Sequence, residues 1–491
     1  MGSVSHGQRV MRNSVFVAAA VAGGGLLQLA TMLLAARWLG VADFGTYSVL
    51  LAFAWVFQQL ADFGLTDILV RELATHRDGE QPIYAAARGL ICTVSLAAGA
   101  LAVIVILLRP WDVEMKLLAV VMSASTLTLF HSAGFAAAIK AREEMHFTAA
   151  GFFFHKVLLI AAVGACLWVG TGLRSIVFAH LGANLSLCLF YATIVRRRYF
   201  RPGLAFDLAR WREIIVNALP LGAGEGLRSA SSQIDVLILK RLTDSGAVGL
   251  FNAPLRLVQA PALLPTYLAP TLFPLFSRLA LESRERLAAA CAAGVRSFLL
   301  LGFPAAACLY VGAGTLVHSL LGRQFANSVE GLQWLALGLP ATFLNALIPY
   351  IFTALREQRV YFLVAAGGLA IRVALNLLLI PRHGYLGACF AVVISEGAVL
   401  AAALLLLRAH LPEFSPLAAM WKPLTATCAL AAVLFPFRAA APGAMLGALV
   451  GASIAYVAAA LAIGAVSAEE RQNISRVFAS LTGRVRPARA E

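Results

Sequence analysis

Charged residues are scarce in this 491-residue chain: Asp, Glu, Lys and Arg together make up 13%, while hydrophobic residues make up 60%. A soluble domain carries roughly 25% charged residues, so the composition excludes an ordinary water-soluble protein. Apolar runs of membrane-spanning length recur along the whole chain and lack the alternation of barrel strands. The sequence therefore predicts an all-α integral membrane protein, because helices satisfy their own backbone groups in lipid.

Catalytic and metal-binding motifs are also missing. The chain contains no GxxxxGK[ST] phosphate loop, no HExxH zinc motif and no GxSxG nucleophile elbow. Its seven cysteines lie in apolar segments without CxxC pairing, and we interpret them as small buried residues of membrane helices. We therefore expect no enzymatic activity, no metal and no cofactor.

Fourteen candidate spans are predicted from hydropathy. They lie near 14–36, 46–68, 84–108, 117–139, 147–169, 175–195, 213–238, 248–275, 289–311, 331–354, 360–380, 386–407, 417–437 and 443–466. With the N-terminus placed inside, 26 of the 39 Lys and Arg residues fall in cytoplasmic segments and nine fall outside. This bias predicts that both termini are cytoplasmic, and it accounts for the net charge of +15 without a nucleic-acid partner.

The chain contains an internal repeat. Arg37 precedes Gly45-Thr46-Tyr47 by eight residues, and Arg241 precedes Gly249-Leu250-Phe251 by the same distance, an offset of 204 (241 − 37). A second match follows later in each half: Arg142-Glu143 recurs as Arg356-Glu357, at an offset of 214 (356 − 142). We predict two pseudo-symmetric six-helix lobes, at 1–200 and 201–411, plus an appended helix pair at 412–467. Secondary transporters commonly have such repeats, with the substrate site between them.

Two basic segments lie at or beyond the ends of the predicted spans. The segment 196–213 interleaves arginines with aromatic residues, which predicts an interfacial linker that contacts anionic lipid headgroups. The tail at 468–491 spaces apolar residues at helical intervals among arginines. That pattern predicts a cytoplasmic amphipathic helix, with a frayed tail as the alternative.

Four basic residues lie well inside predicted spans, and they are the main candidates for a binding site: Lys156, Arg228, Arg256 and Arg372. A cation in mid-membrane costs roughly 2.5–3.5 kcal/mol, so these side chains should face a wet cavity or pair with acids. Polar residues at helical spacing favour the cavity, with Asn252 and Gln259 beside Arg256, and Asn376 beside Arg372. The alternative is a set of ion pairs that lock the helices together.

Three acids in the spans are candidates for coupling transport to H⁺ or Na⁺: Asp62, Glu225 and Asp235. Glu225, Arg228, Ser232 and Asp235 form one polar stripe on the seventh span, because they are three, four and three residues apart. The eighth span has five prolines between 254 and 274. We interpret them either as a static kink or as the bend of a gating helix.

Several short motifs, taken in order, resemble a known family. They are Arg37-Trp-Leu-Gly with Phe44-Gly-Thr-Tyr, then Asp62-Phe-Gly-Leu with Arg71-Glu-Leu-Ala, and later Val248-Gly-Leu-Phe-Asn-Ala. At these residues the chain resembles the polysaccharide-transporter branch of the multidrug/oligosaccharidyl-lipid/polysaccharide exporter superfamily, the O-antigen and exopolysaccharide flippases. The resemblance extends over essentially the whole chain, although members of this branch often have twelve spans.

The resemblance implies a flippase of the bacterial cytoplasmic (inner) membrane. It would move an undecaprenyl-pyrophosphate-linked oligosaccharide unit by alternating access, for O-antigen (lipopolysaccharide) or exopolysaccharide synthesis. The resemblance also implies a polysaccharide polymerase and chain-length proteins as partners. Buried cations suit a diphosphate. The alternatives are a cation-coupled multidrug or small-solute antiporter of the same superfamily, and a membrane enzyme or scaffold such as a polymerase. A drug antiporter would favour an acidic cavity. A polysaccharide polymerase usually carries a large extracytoplasmic loop.

Overall fold

The computed structural model describes residues 6–76, 80–438, 440 and 442–465, and every long regular element in them is a helix. Eight helices account for the residues up to Glu282: α1 (His6–Asp62), α2 (Leu65–Thr75), α3 (Glu80–Leu108), α4 (Val113–Ala141), α5 (Met145–Val169), α6 (Gly172–Arg198), α7 (Leu208–Leu242) and α8 (Ser245–Glu282).

Eight further helices follow: α9 (Arg284–Val311), α10 (Ala313–Leu316), α11 (Ser328–Leu337), α12 (Leu339–Ala354), α13 (Gln358–His383), α14 (Tyr385–His410), α15 (Pro416–Leu434) and α16 (Pro442–Ala462). The chain is therefore an all-α, multi-pass membrane protein, as its composition predicts. The predicted tail at 468–491 lies outside the described residues.

Within the described residues, 11 helices are long and apolar enough to cross a membrane, or up to 12 if one bent pair is a single span. The count of 14 is not confirmed, and three places account for the difference. The first two predicted spans fall in one helical stretch, Ala22–Thr75. The span predicted at 331–354 is divided between α11 and α12, which meet at an angle of 41°. The seventh falls in α7, whose polar stripe lowers its hydropathy.

The first helical stretch has two breaks in its backbone. Gly40 has non-helical angles (φ 81°, ψ 176°) in the interior of α1. A residue with positive φ interrupts α-helical hydrogen bonding, and glycine adopts it without a steric penalty. The second break lies between α1 and α2, where Phe63 and Gly64 have φ values of 34° and 81°. The predicted span 46–68 is therefore not one continuous helix, because α1 ends at Asp62 and α2 begins at Leu65.

Two compact units divide the chain. One contains Met1–Ala260, Leu320–Gly331 and Ala365–Val392, and the other contains Pro261–Ser319, Leu332–Val364 and Val393–Glu491. Each unit has its own apolar core, around Ile68, Tyr84 and Phe130 in the first and around Phe276, Leu347 and Phe352 in the second. The two six-helix lobes and their boundaries remain predictions of the sequence repeat.

The repeated glycines contact each other inside the first unit. A Cβ added to Gly45 would lie 1.7 Å from the carbonyl oxygen of Ser245, and one added to Gly249 would lie 2.0 Å from that of Val41. The contact is reciprocal in sequence, since each glycine meets the residue four positions before the other. The offset between equivalent residues is 204 (249 − 45 and 245 − 41), the offset of the repeat. Neither position has room for any side chain.

The basic linker between α6 and α7 packs against α3. The backbone N–H of Ala205 donates to the carbonyl of Ala85 at 3.0 Å, and the indole Nε1 of Trp211 donates to the carbonyl of Ala86 at 2.8 Å. Gly89 permits this approach, because a Cβ there would lie 2.1 Å from the carbonyl oxygen of Ala205. The linker is therefore held by backbone contacts on its inner side.

The outer side of the linker combines apolar and basic residues. Leu204, Phe206 and Leu208 are more than half exposed, and Arg196–Arg198 in the last turn of α6 are also exposed. The hydroxyl of Tyr199 donates to Glu144 at 2.7 Å, and burial together with this hydrogen bond raises the pKa of Tyr199. An apolar surface with a cationic rim is typical of a segment at the membrane interface.

The last helix pair packs in the second unit. Leu430 and Leu434 of α15 and Met445 of α16 form a small apolar cluster with Cys308 and Val311 of α9. The Tyr456 hydroxyl of α16 donates to the carbonyl of Leu300 in α9 at 2.7 Å. These contacts fix α15 and α16 against α9. None of these three helices carries a candidate site residue.

Candidate functional site

Lys156 lies in α5 and is held by an uncharged partner. Its Nζ donates to Oε1 of Gln28, in α1, at 2.7 Å, and lies 5.2 Å from the ring centre of Phe152. Within the described part of the chain, no carboxylate forms a salt bridge with Lys156. The side chain is partly exposed, and its hydrogen-bond partner among the described residues carries no charge.

Next to Lys156, His155 belongs to a buried hydrogen-bonded group. Its Nε2 lies 2.8 Å from Oδ1 of Asn184 in α6, and Nδ2 of Asn184 donates at 2.9 Å to both the carbonyl and the hydroxyl of Ser125 in α4. His155 and Asn184 are buried. This group ties α4, α5 and α6 together, which fixes the backbone that carries Lys156.

Tyr47 and His180 form a buried pair close to two of the predicted cations. The Tyr47 hydroxyl lies 2.6 Å from Nε2 of His180, and Tyr47 is fully buried. Arg256 lies within electrostatic range of Tyr47, and Lys156 lies within range of His180. Both cations therefore lie near the Tyr47–His180 pair, which links α1 to α6.

Arg256 has polar neighbours along one face of α8. Its Nη1 donates to Oε1 of Gln259 at 2.9 Å. Asn252 lies one turn earlier and is buried, and its Oδ1 has no hydrogen-bond partner among the described residues. The predicted set Asn252, Arg256 and Gln259 is thus adjacent along the helix, and it offers both donors and acceptors to a polar ligand.

Asp235 in α7 and Arg372 in α13 form a buried ion pair. Nη2 of Arg372 donates to Oδ2 of Asp235 at 2.7 Å, and its Nε donates to both carboxylate oxygens at 3.0 and 3.1 Å. Nδ2 of Asn376 donates to Oδ1 at 2.7 Å. The side chain of Arg372 is 12% exposed and that of Asp235 is 2% exposed, so the pair has little contact with solvent. Here the structure shows the locking ion pair that the sequence left as the alternative.

The remaining candidates lie elsewhere or outside the described side chains. Asp62 ends α1, and its carboxylate accepts from the backbone N–H and the hydroxyl of Thr66 at 3.1 and 3.0 Å. It therefore secures the start of α2 after the break at Phe63 and Gly64. The side chains of Glu225 and Arg228 lie outside the described residues, although the backbone of α7 is helical there.

Sequence reasoning missed three members of the site: Gln28, Tyr47 and His180. Tyr47 belongs to the repeated motif, which indicates a structural position but not a partner 133 residues away. Gln28 and His180 are uncharged or weakly basic residues in apolar helices, where satisfied polar residues are common. The described residues contain no group of three His, Cys, Asp or Glu side chains suited to a metal ion.

Solved membrane transporters have this fold. The lipid II flippase MurJ in its inward closed conformation aligns with a TM-score of 0.76 at 14% identity, covering 94% of this chain and 100% of MurJ. An inward-facing MATE multidrug resistance transporter of the MOP superfamily aligns at 0.65 and 15% identity, covering 79% and 94%. A MOP superfamily transporter from Pyrococcus furiosus, described as having a binding pocket of reverse polarity, aligns at 0.59 and 15% identity, covering 82% and 96%.

The fold is therefore that of MurJ and of the MATE transporters of the MOP superfamily. Sequence profiles go further than the fold. The polysaccharide biosynthesis protein family matches residues 10–280, more than half of the chain, and the lipid II flippase MurJ profile matches residues 182–445. The chain belongs to the polysaccharide biosynthesis protein family, and the MurJ match also covers more than half of the chain. A comparison with curated proteins gives no match.

Proposed function

We propose that this protein is a flippase that moves undecaprenyl-pyrophosphate-linked oligosaccharide units across the bacterial inner membrane, for O-antigen or exopolysaccharide synthesis. Lys156 carries the proposal, because it is a membrane-helix cation whose hydrogen-bond partner, Gln28, is neutral. A diphosphate is multiply anionic, and its interaction with a cation is strong where little water is present. Membership of the polysaccharide biosynthesis protein family and likeness to a lipid II flippase support the same substrate class.

In this proposal, Lys156 and Arg256 bind the pyrophosphate, while Asn252 and Gln259 bind sugar hydroxyls. Arg372 is neutralised by Asp235 and contributes less to binding. The charge of Lys156 argues against the drug-antiporter alternative, because a cationic drug would be repelled. We propose an inner-membrane location with both termini in the cytoplasm, and a polysaccharide polymerase and chain-length proteins as partners.

The proposal is tested by neutralising the two cations. We expect Lys156→Gln and Arg256→Gln each to lower the flipping rate of a lipid-linked oligosaccharide in proteoliposomes by about 10- to 100-fold, since a charge-assisted hydrogen bond contributes roughly 1.5–3 kcal/mol. Lys156→Arg should retain most activity. Lys140→Gln removes an exposed cation at the end of α4 and serves as the matched control.

The same variants are then expressed in a strain that lacks the gene, with membrane insertion checked by immunoblot. Loss of surface polysaccharide together with inner-leaflet accumulation of lipid-linked units is the expected result. Wild-type polymer output from the Lys156→Gln, Arg256→Gln double variant would refute the flippase assignment. Altered drug susceptibility with normal polysaccharide would instead support the antiporter.

A further inference from the structure

The first and fifth predicted spans of each half are joined by a polar contact, and the two contacts lie within three residues of equivalent positions in the repeat. In the first half, Lys156 of α5 donates to Gln28 of α1 at 2.7 Å. In the second half, Arg372 of α13 donates to Asp235 of α7 at 2.7 Å. The acceptors are 207 residues apart (235 − 28) and the cations 216 apart (372 − 156), close to the repeat offsets of 204 and 214.

The two contacts differ in charge. The carboxylate oxygens of Asp235 are engaged by Arg372 and Asn376, so the contact in the second half is neutral overall. The acceptor in the first half is an amide, so the contact there keeps the full charge of Lys156. An amide oxygen satisfies one ammonium hydrogen without cancelling the charge, and the other two hydrogens remain available to a ligand.

We propose that Gln28 is a specificity-determining positioning residue, whose neutral side chain orients Lys156 and keeps its charge available for a polyprenyl diphosphate. The inference rests on the proposed function and deepens it: the anion is bound by the first half, while the second half holds its equivalent cation in an internal pair. A single change, Gln28→Glu, would give the first half the charge pattern of Asp235 and Arg372.

Binding of farnesyl diphosphate tests this directly, using the purified full-length protein in phosphatidylcholine nanodiscs. We expect Gln28→Glu and Lys156→Gln each to weaken binding by about 10- to 100-fold, since both remove the net charge that faces the ligand. Gln28→Asn keeps a neutral amide and should restore most of the affinity lost with glutamate. Gln81→Glu makes the same chemical change at an exposed position on α3 and is the control for added negative charge.

A second variant covers the case in which Gln28→Glu fails to fold. Gln28→Met adds no charge but removes the hydrogen-bond acceptor that orients Lys156, so it should weaken the binding of farnesyl diphosphate, and wild-type affinity would contradict the inference. Melting temperatures of the unliganded variants separate folding from binding, and flipping rates measured across substrate concentrations separate KM from the turnover rate. The expected effect of Gln28→Glu is on KM.

The outcomes distinguish this inference from the proposed function. If the wild-type protein shows no saturable binding of farnesyl diphosphate, the flippase proposal itself fails. If the wild type binds but Gln28→Glu binds equally well, Gln28 does not control the charge of Lys156 and the inference is overturned. A fall in turnover rate with unchanged affinity would also overturn it, because that would indicate a structural role only.

Discussion

At the scale of single residues, the Asp235–Arg372 pair is the most constrained polar contact in the described site. Two N–H groups of Arg372 and one of Asn376 donate hydrogen bonds to the carboxylate of Asp235, which is 2% exposed. Removing one member of such a pair leaves a charge in an apolar environment, whereas removing both leaves none. The residues therefore act as a unit.

We expect Asp235→Asn and Arg372→Gln each to lower stability by about 3–5 kcal/mol, the usual cost of breaking a buried pair. The double variant should be more stable than either single one. Melting curves in detergent, analysed as a double-mutant cycle, measure the coupling. The exposed pair Arg278 and Glu282, at 69% and 45% exposure, is the control, and Glu282→Gln should change stability little. Additive losses at Asp235 and Arg372 would contradict the prediction.

The sequence alone identified the charged members of the site but not their partners. Lys156, Arg256, Arg372 and Asp235 stand out because a charge in an apolar helix is costly. Gln28 and Tyr47 do not stand out, because an uncharged polar residue in such a helix costs little once its hydrogen bond is made. Which cation is neutralised depends on contacts over more than 120 residues, and hydropathy carries no information about them.

At the scale of helices, the contact between Gly45 of α1 and Gly249 of α8 depends on the absence of two side chains. A new Cβ at either position would overlap a backbone carbonyl, which cannot rotate away as a side chain can. The neighbouring Thr46 donates to the hydroxyl of Ser245 at 3.1 Å, which holds the start of α8 against α1. Close backbone approach at small residues is a common way for membrane helices to pack.

We expect Gly45→Ala and Gly249→Ala each to destabilise the protein by about 1–3 kcal/mol, the usual cost of overpacking. The measurement is the apparent melting temperature in detergent. Gly182 in α6 has nothing within 4 Å of an added Cβ, so Gly182→Ala is the matched control and should be neutral. Equal melting temperatures for Gly45→Ala and Gly182→Ala would contradict the prediction, because α1 and α8 would then move apart without loss of stability.

Hydropathy predicted most helices closely but missed their breaks. The predicted spans 84–108 and 147–169 agree with α3 and α5 to within a few residues at each end. The breaks at Gly40 and at Phe63–Gly64 were not predicted, because glycine is tolerated inside helices and Phe63 carries no turn signal. These conformations are fixed by packing, such as the close approach of Gly64 to Gly222, whose backbone nitrogen would lie 3.1 Å from a Cβ added to Gly64.

At the scale of the whole molecule, the distribution of basic residues predicts an orientation that cysteine labelling can test. In a protein whose seven cysteines are replaced by alanine, Asp112→Cys should react with a membrane-impermeant maleimide in intact spheroplasts. Arg201→Cys should react only after permeabilisation, because it lies in the basic linker. Both side chains are exposed, so accessibility depends on the side of the membrane. The opposite labelling pattern would place the termini outside the cytoplasm.

The reciprocal contact between Gly45 and Gly249 also bears on how the chain arose. In an isologous dimer, residue i of one subunit meets residue j of its twin while j meets i, as two-fold symmetry requires. Val41 with Gly249, and Ser245 with Gly45, satisfy that rule once 204 is subtracted from the higher numbers. The contact thus has the form of an ancestral homodimer interface kept after gene fusion. A single chain does not have to keep the two sides identical, and here one side carries Tyr47 where the other carries Phe251.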